Sequence, residues 1–271
     1  MKLDPVSPNS FRKKFSASVA RVEKTARLCA EQPTSDAVHE ARIAIRKVMA
    51  AVSLMPKEYR NDVKTKRAIN DLRLFYRACA EIRDIDVIEH ALSENATHGS
   101  FESIIHDLGR KRSALLSRAA KSGDKFKGLR IPSVKLVAEK RLRKRLTKQL
   151  QERTDRALRF YKSASGSERR VTELHKLRKE CRRMMYLLGF AKQDGAVNIA
   201  KAALEEARTT LGSIRDDDLL LEVLGAVEED AAAKLAAIVS SSRRSKYERF
   251  FAPASHTSGG PMLLKIFGVI T

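Results

Sequence analysis

His39, Arg42 and Arg46 stand three and four residues apart, and the same spacing returns at His175, Arg178 and Arg182. A further basic residue follows each set, Lys47 in the first and Arg183 in the second. An α-helix turns by roughly 100° per residue, so each trio falls in one narrow stripe. Imidazole and guanidinium on a single helix face present fixed N–H donors and positive charge. That chemistry suits phosphate oxygens better than covalent catalysis. On the same count Val38, Ala41, Ile45, Val48 and Val52 fall on the opposite side. Leu174, Leu177, Cys181, Met184 and Leu188 repeat that layout, so both helices are expected to bury one face and display the other.

The elements that position these stripes repeat as well. Ile82-Arg83-Asp84-Ile85-Asp86-Val87 matches Ile214-Arg215-Asp216-Asp217-Asp218-Leu219. Ile104-Ile105 followed by Arg110-Lys111-Arg112 matches Ile238-Val239 followed by Arg244-Ser245-Lys246. The offsets are nearly constant (175 − 39 = 136, 215 − 83 = 132, 244 − 110 = 134). The repeating unit is about half the chain, 1–131 and then 132–271, far longer than a solenoid repeat. Two tandem, related four-helix bundles about a pseudo-twofold axis are the simplest arrangement. The aspartates of the Arg-Asp segments are expected to end one helix and cap the next, leaving Arg83 and Arg215 to point toward the basic surface. Arg77, and Arg208 in the second half, extend the stripes.

Between turn signals nearly every stretch reads as amphipathic helix. A first helix is expected from Ser10 to Ala30, with Ser10 as cap. Ser35 or Asp36 is expected to cap the His39 helix, which ends before Pro56. A third helix runs from Asn61 into Ile82, with a break at Asp84–Asp86. Loops are expected at Asn95–Ser100, Ser163–Ser167 and Pro253–Pro261, and the boundary between halves at Gly123–Ser133. Asp194-Gly195 is expected to end the His175 helix. Asn198–Leu211 and Asp217–Val227 read as separate helices, with another from Glu229 to Phe251. No stretch alternates with a period of two long enough for a sheet, so the fold class is all-α.

Lys and Arg number 54 against 33 Asp and Glu, a formal net charge of +21. Such an excess favours polyanionic partners. Hydrophobic residues make up 43% of the chain, enough for a core. Cys29, Cys79 and Cys181 form no paired framework, which points to core packing in a reducing cytoplasm. The N-terminus lacks the apolar run of a signal peptide, and the apolar tail Met262–Ile270 is too short to span a bilayer. His90, His98, His106 and His256 form no compact ligand set, so no metal or cofactor is expected.

In these motifs the chain resembles the conserved histidine α-helical domain family, CHAD. The resemblance rests on His39-x-x-Arg42-x-x-x-Arg46-Lys47, His175-x-x-Arg178-x-x-x-Arg182-Arg183, Arg83-Asp84-x-Asp86 and Arg215-Asp216-x-Asp218. It implies two four-helix bundles with basic residues along a central surface or pore, and binding of inorganic polyphosphate. No Glu-x-Glu-x-Lys signature of the associated triphosphate hydrolase domain is present, so the chain resembles a stand-alone CHAD protein. The residues expected to bind polyphosphate are His39, Arg42, Arg46, Lys47, Arg77, Arg83, Arg110 and Arg112 in the first half. In the second they are His175, Arg178, Arg182, Arg183, Arg208, Arg215, Arg244 and Lys246. The function expected is non-catalytic binding in the cytoplasm, with association with polyphosphate granules as a corollary. Two alternatives stand beside it. The charge allows nucleic-acid binding, non-specific at low salt, although Trp is absent and aromatics are only 6%. A phosphate-transfer or hydrolysis enzyme would need carboxylates holding a metal beside the cations.

Overall fold

The structure is a computed structural model that describes residues 4–32, 34–95, 101–126, 131–132, 137–252 and 259–270. Among these the regular structure is helical, and the extended pairing is a single antiparallel bridge between Pro5 and Ala191. Of the expected loops, 96–100 and 253–258, and of the expected boundary, 127–130 and 133, lie outside the described residues; 123–126 still belong to a helix that ends at Phe126, and 259–261 open a helix in place of the end of the loop.

Packing divides the chain into two compact units, Ser7–Leu142 and a second of Met1–Val6 with Arg143–Thr271. The first contains α1 (Pro8–Glu31), α2 (Ser35–Leu54), the short α3 (Lys57–Asn61), α4 (Val63–Asn95) and α5 (Glu102–Phe126). α1 packs on α2 and α5, α2 on α4, and α4 on α5, so four long helices close a ring. α1 starts one residue inside Ser7, whose hydroxyl accepts from the Ser10 N–H at 3.3 Å, and Pro8 occupies the first helical position. Ser10 is therefore the donor to the cap and not the cap. α2 is capped by Thr34, which accepts from the Ala37 N–H at 3.2 Å, in place of Ser35 or Asp36. It stops where Met55, extended before Pro56, leaves helical geometry. Val38, Ala41, Ile45, Val48 and Val52 are buried, as the stripe arithmetic requires.

The second unit holds nearly all of α6 (Glu139–Ala164), and α7 (Val171–Leu188), α8 (Gly195–Leu224), α9 (Asp230–Phe251) and α10 (Gly259–Ile270). α8 packs on α7, α9 and α10. α6 joins through Tyr161, whose ring lies 5.1 Å from that of Phe251. The N-terminal strand-like segment belongs here: Val6 N–H donates to the Phe190 carbonyl at 2.9 Å and Lys192 N–H to that of Asp4 at 2.7 Å. Leu174, Leu177, Cys181, Met184 and Leu188 are buried. The apolar tail forms α10, which buries Leu263, Ile266 and Phe267. Cys29, Cys79 and Cys181 are free thiols in the core.

Two expected helix breaks are absent. α4 runs unbroken through Asp84–Asp86, and α8 runs unbroken through Asp216–Asp218. Asp194 accepts from the Val197 N–H at 2.8 Å and caps α8, while α7 ends earlier, at Leu188. Lying inside helices, these aspartates cap nothing, and Asp86, Asp217 and Asp218 find cationic partners on neighbouring helices. Tertiary pairing overrides their weak intrinsic preference against helix interiors.

Candidate anion-binding site

In the first unit α2 and α4 lie side by side, and their polar edges build a cluster of cations. Arg46 donates through Nε and Nη2 to the Tyr76 hydroxyl at 3.1 and 2.9 Å. Its guanidinium carbon is 5.2 Å from the Tyr76 ring centre, and that of Arg42 is 5.7 Å. Both distances fall in the cation–π range, where each contact contributes about 0.5–1 kcal/mol at partly exposed sites. Arg83, one helix over on α4, donates to the Ser35 hydroxyl at 3.4 Å. His39 is exposed between them. Partial burial, then the charges of Arg83 and Arg42, hold its imidazole below the ordinary 6.5 against the opposing pull of Glu40. Lys47 and Arg77 are exposed on the flanks. Among the described residues Arg42, Arg46 and Arg83 make no ion pair with a carboxylate. Arg42 Nε is buried with no hydrogen-bond partner. The cluster is thus positive, ordered and not neutralised.

The second unit treats the same motif differently. His175 Nε2 lies 2.9 Å from Asp218 Oδ2, and the other oxygen of Asp218 accepts from Arg243 Nε at 2.5 Å. Arg243 also donates to the Glu168 carbonyl at 3.0 Å. Asp218 and Arg243 have side chains only 7% and 9% exposed, so this network is part of the interior. Burial works to raise the Asp218 carboxyl. The hydrogen bonds from His175 and Arg243 outweigh it and leave the group below its ordinary value. Next to it Asp217 bonds Lys246 Nζ at 2.7 Å, but there burial prevails and the carboxyl is raised. Around Asp218 opens a cavity of about 420 Å³ lined by Glu168, Arg169, Val171, Leu221, Ser240 and Arg243. Arg178 lies against Gly212, where a Cβ would meet its Nη2 at 3.4 Å, so glycine lets the guanidinium rest on α8. Arg182 and Arg215 are half-buried.

Several other residues expected to bind phosphate already face carboxylates. Arg112 donates through Nε to Asp86 at 2.7 Å, and Arg110 pairs with Asp107 at 2.7 Å. Arg183 pairs with the buried Glu180 at 2.5 Å, and Arg208 pairs with Glu205. Arg244 lies 3.4 Å from Glu248, and Lys246 is held by Asp217. Among the described residues Arg42, Arg46 and Arg83 thus gather around His39 without an ion pair to a carboxylate, whereas Arg112 and Lys246 have structural partners. Tyr76 and Arg243 were not singled out from the sequence, and Ser35 was expected only as a helix cap. Arg243 adjoins Arg244, and the two point about 100° apart on α9. The chemistry makes Arg243 the counterpart of Arg112, since each donates Nε to the Oδ1 of an aspartate at a matching repeat position.

The CHAD domain family model matches residues 13–225. The chain belongs to that family. The matched CHAD segment contains both His-Arg helices and both Arg-Asp segments. Among solved structures, the crystal structure of the CHAD domain from the plant Ricinus communis matches with a TM-score of 0.63. The alignment covers 97% of this chain and 93% of that one at 14% identity, a likeness of fold. No curated protein matches. Among the described residues no helix is long and apolar enough to cross a membrane.

Proposed function

We propose that this chain binds inorganic polyphosphate without transforming it, through the α2–α4 cluster of His39, Arg42, Arg46 and Arg83, flanked by Lys47 and Arg77. One observation carries this reading: among the described residues three guanidiniums gather about the His39 imidazole, and none of the three is ion-paired to a carboxylate. A solvated face built for solubility mixes signs. Elsewhere in this chain Arg110, Arg112, Arg183, Arg208 and Arg243 all have acidic partners. A linear polyanion without bases needs only cations at helix spacing. Arg supplies forked donors to phosphate oxygens, and an anion raises the proton affinity of a nearby His. Membership of the CHAD family supports the same ligand. The carboxylates of α4 and α8 also favour binding over turnover. Asp86, Asp217 and Asp218 are committed to Arg112, Lys246, Arg243 and His175, unlike the metal-holding carboxylates that phosphoryl transfer uses. The second-unit stripe of Arg178 and Arg182 is a further contact region in this reading, with His175 oriented by Asp218. A cytoplasmic protein that coats or gathers polyphosphate granules fits this chemistry.

The test is competition between polyphosphate and duplex DNA for the protein at physiological salt, with released phosphate measured in parallel. Polyphosphate should displace DNA, and no phosphate should appear above background. Preferential retention of DNA would favour the nucleic-acid reading, and steady phosphate release would favour an enzyme.

A further inference from the structure

We propose that Tyr76 is the positioning residue of the α2–α4 cluster, fixing Arg46 and Arg42 in one anion-facing geometry while leaving both charges intact. The inference rests on the polyphosphate reading above. Two guanidiniums one helical turn apart repel, and their long side chains have many rotamers to lose on binding. Something must order them beforehand if they are to bind tightly. A carboxylate would do so but would cancel their charge. In the second unit that is the solution seen: Asp218 orders His175 and Arg243, and Glu205 orders Arg208.

Position 76 corresponds to position 208 in the repeat register (215 − 83 = 132, 76 + 132 = 208), so a neutral phenol stands where the other half has a paired arginine. Tyr76 Oη accepts Nε and Nη2 of Arg46, which occupies one edge of that guanidinium. An arginine has five N–H groups, so the Nη1 pair and one Nη2 hydrogen remain on the other edges for a phosphate. The ring face meets Arg42, whose Nε makes no hydrogen bond, so the π contact is the orienting interaction seen for that side chain. A phenol thus supplies both an acceptor and a quadrupole, and no negative charge.

The experiment measures affinity for long-chain inorganic polyphosphate across a range of salt concentrations for wild type, Tyr76→Phe, Tyr76→Glu, Arg46→Ala and the Tyr76→Phe/Arg46→Ala double variant. Circular dichroism melts of each variant run alongside. Tyr76→Phe should weaken binding on the order of tenfold or more, through loss of the two hydrogen bonds that orient Arg46. The slope of log affinity against log salt should stay unchanged, because no charge is altered. In the Arg46→Ala background the same change should have little further effect, which a merely structural role would not produce. Tyr76→Glu should weaken binding more and flatten the slope, because its carboxylate pairs with Arg46. If Tyr76→Phe folds poorly, the slope of the Tyr76→Glu variant still decides: a slope equal to wild type overturns the proposal. Wild-type affinity in Tyr76→Phe, or an equal loss with and without Arg46, also overturns the assignment and leaves polyphosphate binding standing. Failure of the wild type to bind polyphosphate overturns both.

Discussion

Replacing Asp218 by alanine separates two accounts of the Arg-Asp segments. If this carboxylate capped a helix, its loss would cost about 1 kcal/mol. The structure places it instead inside α8, 7% exposed, between His175 and Arg243. Removing it strands the Arg243 guanidinium, itself 9% exposed, with only the Glu168 carbonyl at 3.0 Å and the Glu168 carboxylate at 3.9 Å. Breaking one partner out of a buried pair costs about 3–5 kcal/mol, and the residual Glu168 contacts place this case near 3. At about 2–4 °C per kcal/mol for chains of this size, the melting point should fall by roughly 6–12 °C. The assay is thermal and urea unfolding followed by far-ultraviolet circular dichroism, with His175→Ala and the double variant completing a cycle. The two single losses should be non-additive, because both residues belong to one network. A drop of about 1 kcal/mol or less, or strict additivity with His175→Ala, would refute the buried-network account.

Three further outcomes follow from the same geometry. Because burial, and then its cationic neighbours, depress His39, polyphosphate should raise its proton affinity on binding. Affinity should therefore grow as pH falls through the raised value of the complex and level off below the depressed value of the free protein, with proton uptake measured by calorimetry in two buffers; His39→Gln should remove that part. Gly260→Ala should destabilise the α10 packing, since a Cβ there would collide with the Phe250 carbonyl oxygen, and a melting point equal to wild type would contradict this. Arg153→Glu should unfold the protein at lower denaturant by about 3 kcal/mol because Arg153 holds the buried Glu180 at 3.2 Å, so an unchanged urea midpoint would contradict it.

The helices and their buried faces were legible because a period of 3.6 is written directly in the apolar residues. Val38 through Val52 and Leu174 through Leu188 went where the stripe arithmetic placed them. The family was legible because four motifs recur in order. The role of the aspartates was not, because Asp beside Arg looks the same at a helix start as in a cross-helix ion pair. The deciding contact, Asp218 with Arg243, joins residues 25 apart. Tyr76 was hidden for a related reason: an aromatic on a helix reads as core, and only the approach of Arg42 and Arg46 from α2 reveals its use. Glu180 stands where the first copy of the repeat has Ala44, and only the structure shows it as a buried partner for Arg153 and Arg183. Arg156 and Arg159, both exposed on α6, are therefore the better pair for a control charge reversal.

The most direct measurement is a salt-dependent polyphosphate titration of wild type, Arg42→Glu/Arg46→Glu and Arg156→Glu/Arg159→Glu, which change net charge equally. Each lost charge-assisted contact is worth about 1.5–3 kcal/mol, so the α2 reversal should weaken binding at least tenfold. It should also flatten the dependence of log affinity on log salt. The α6 reversal should change affinity only slightly. Equal weakening by the two reversals would contradict a site on α2 and α4, and would leave only the overall positive field of the protein to attract the ligand.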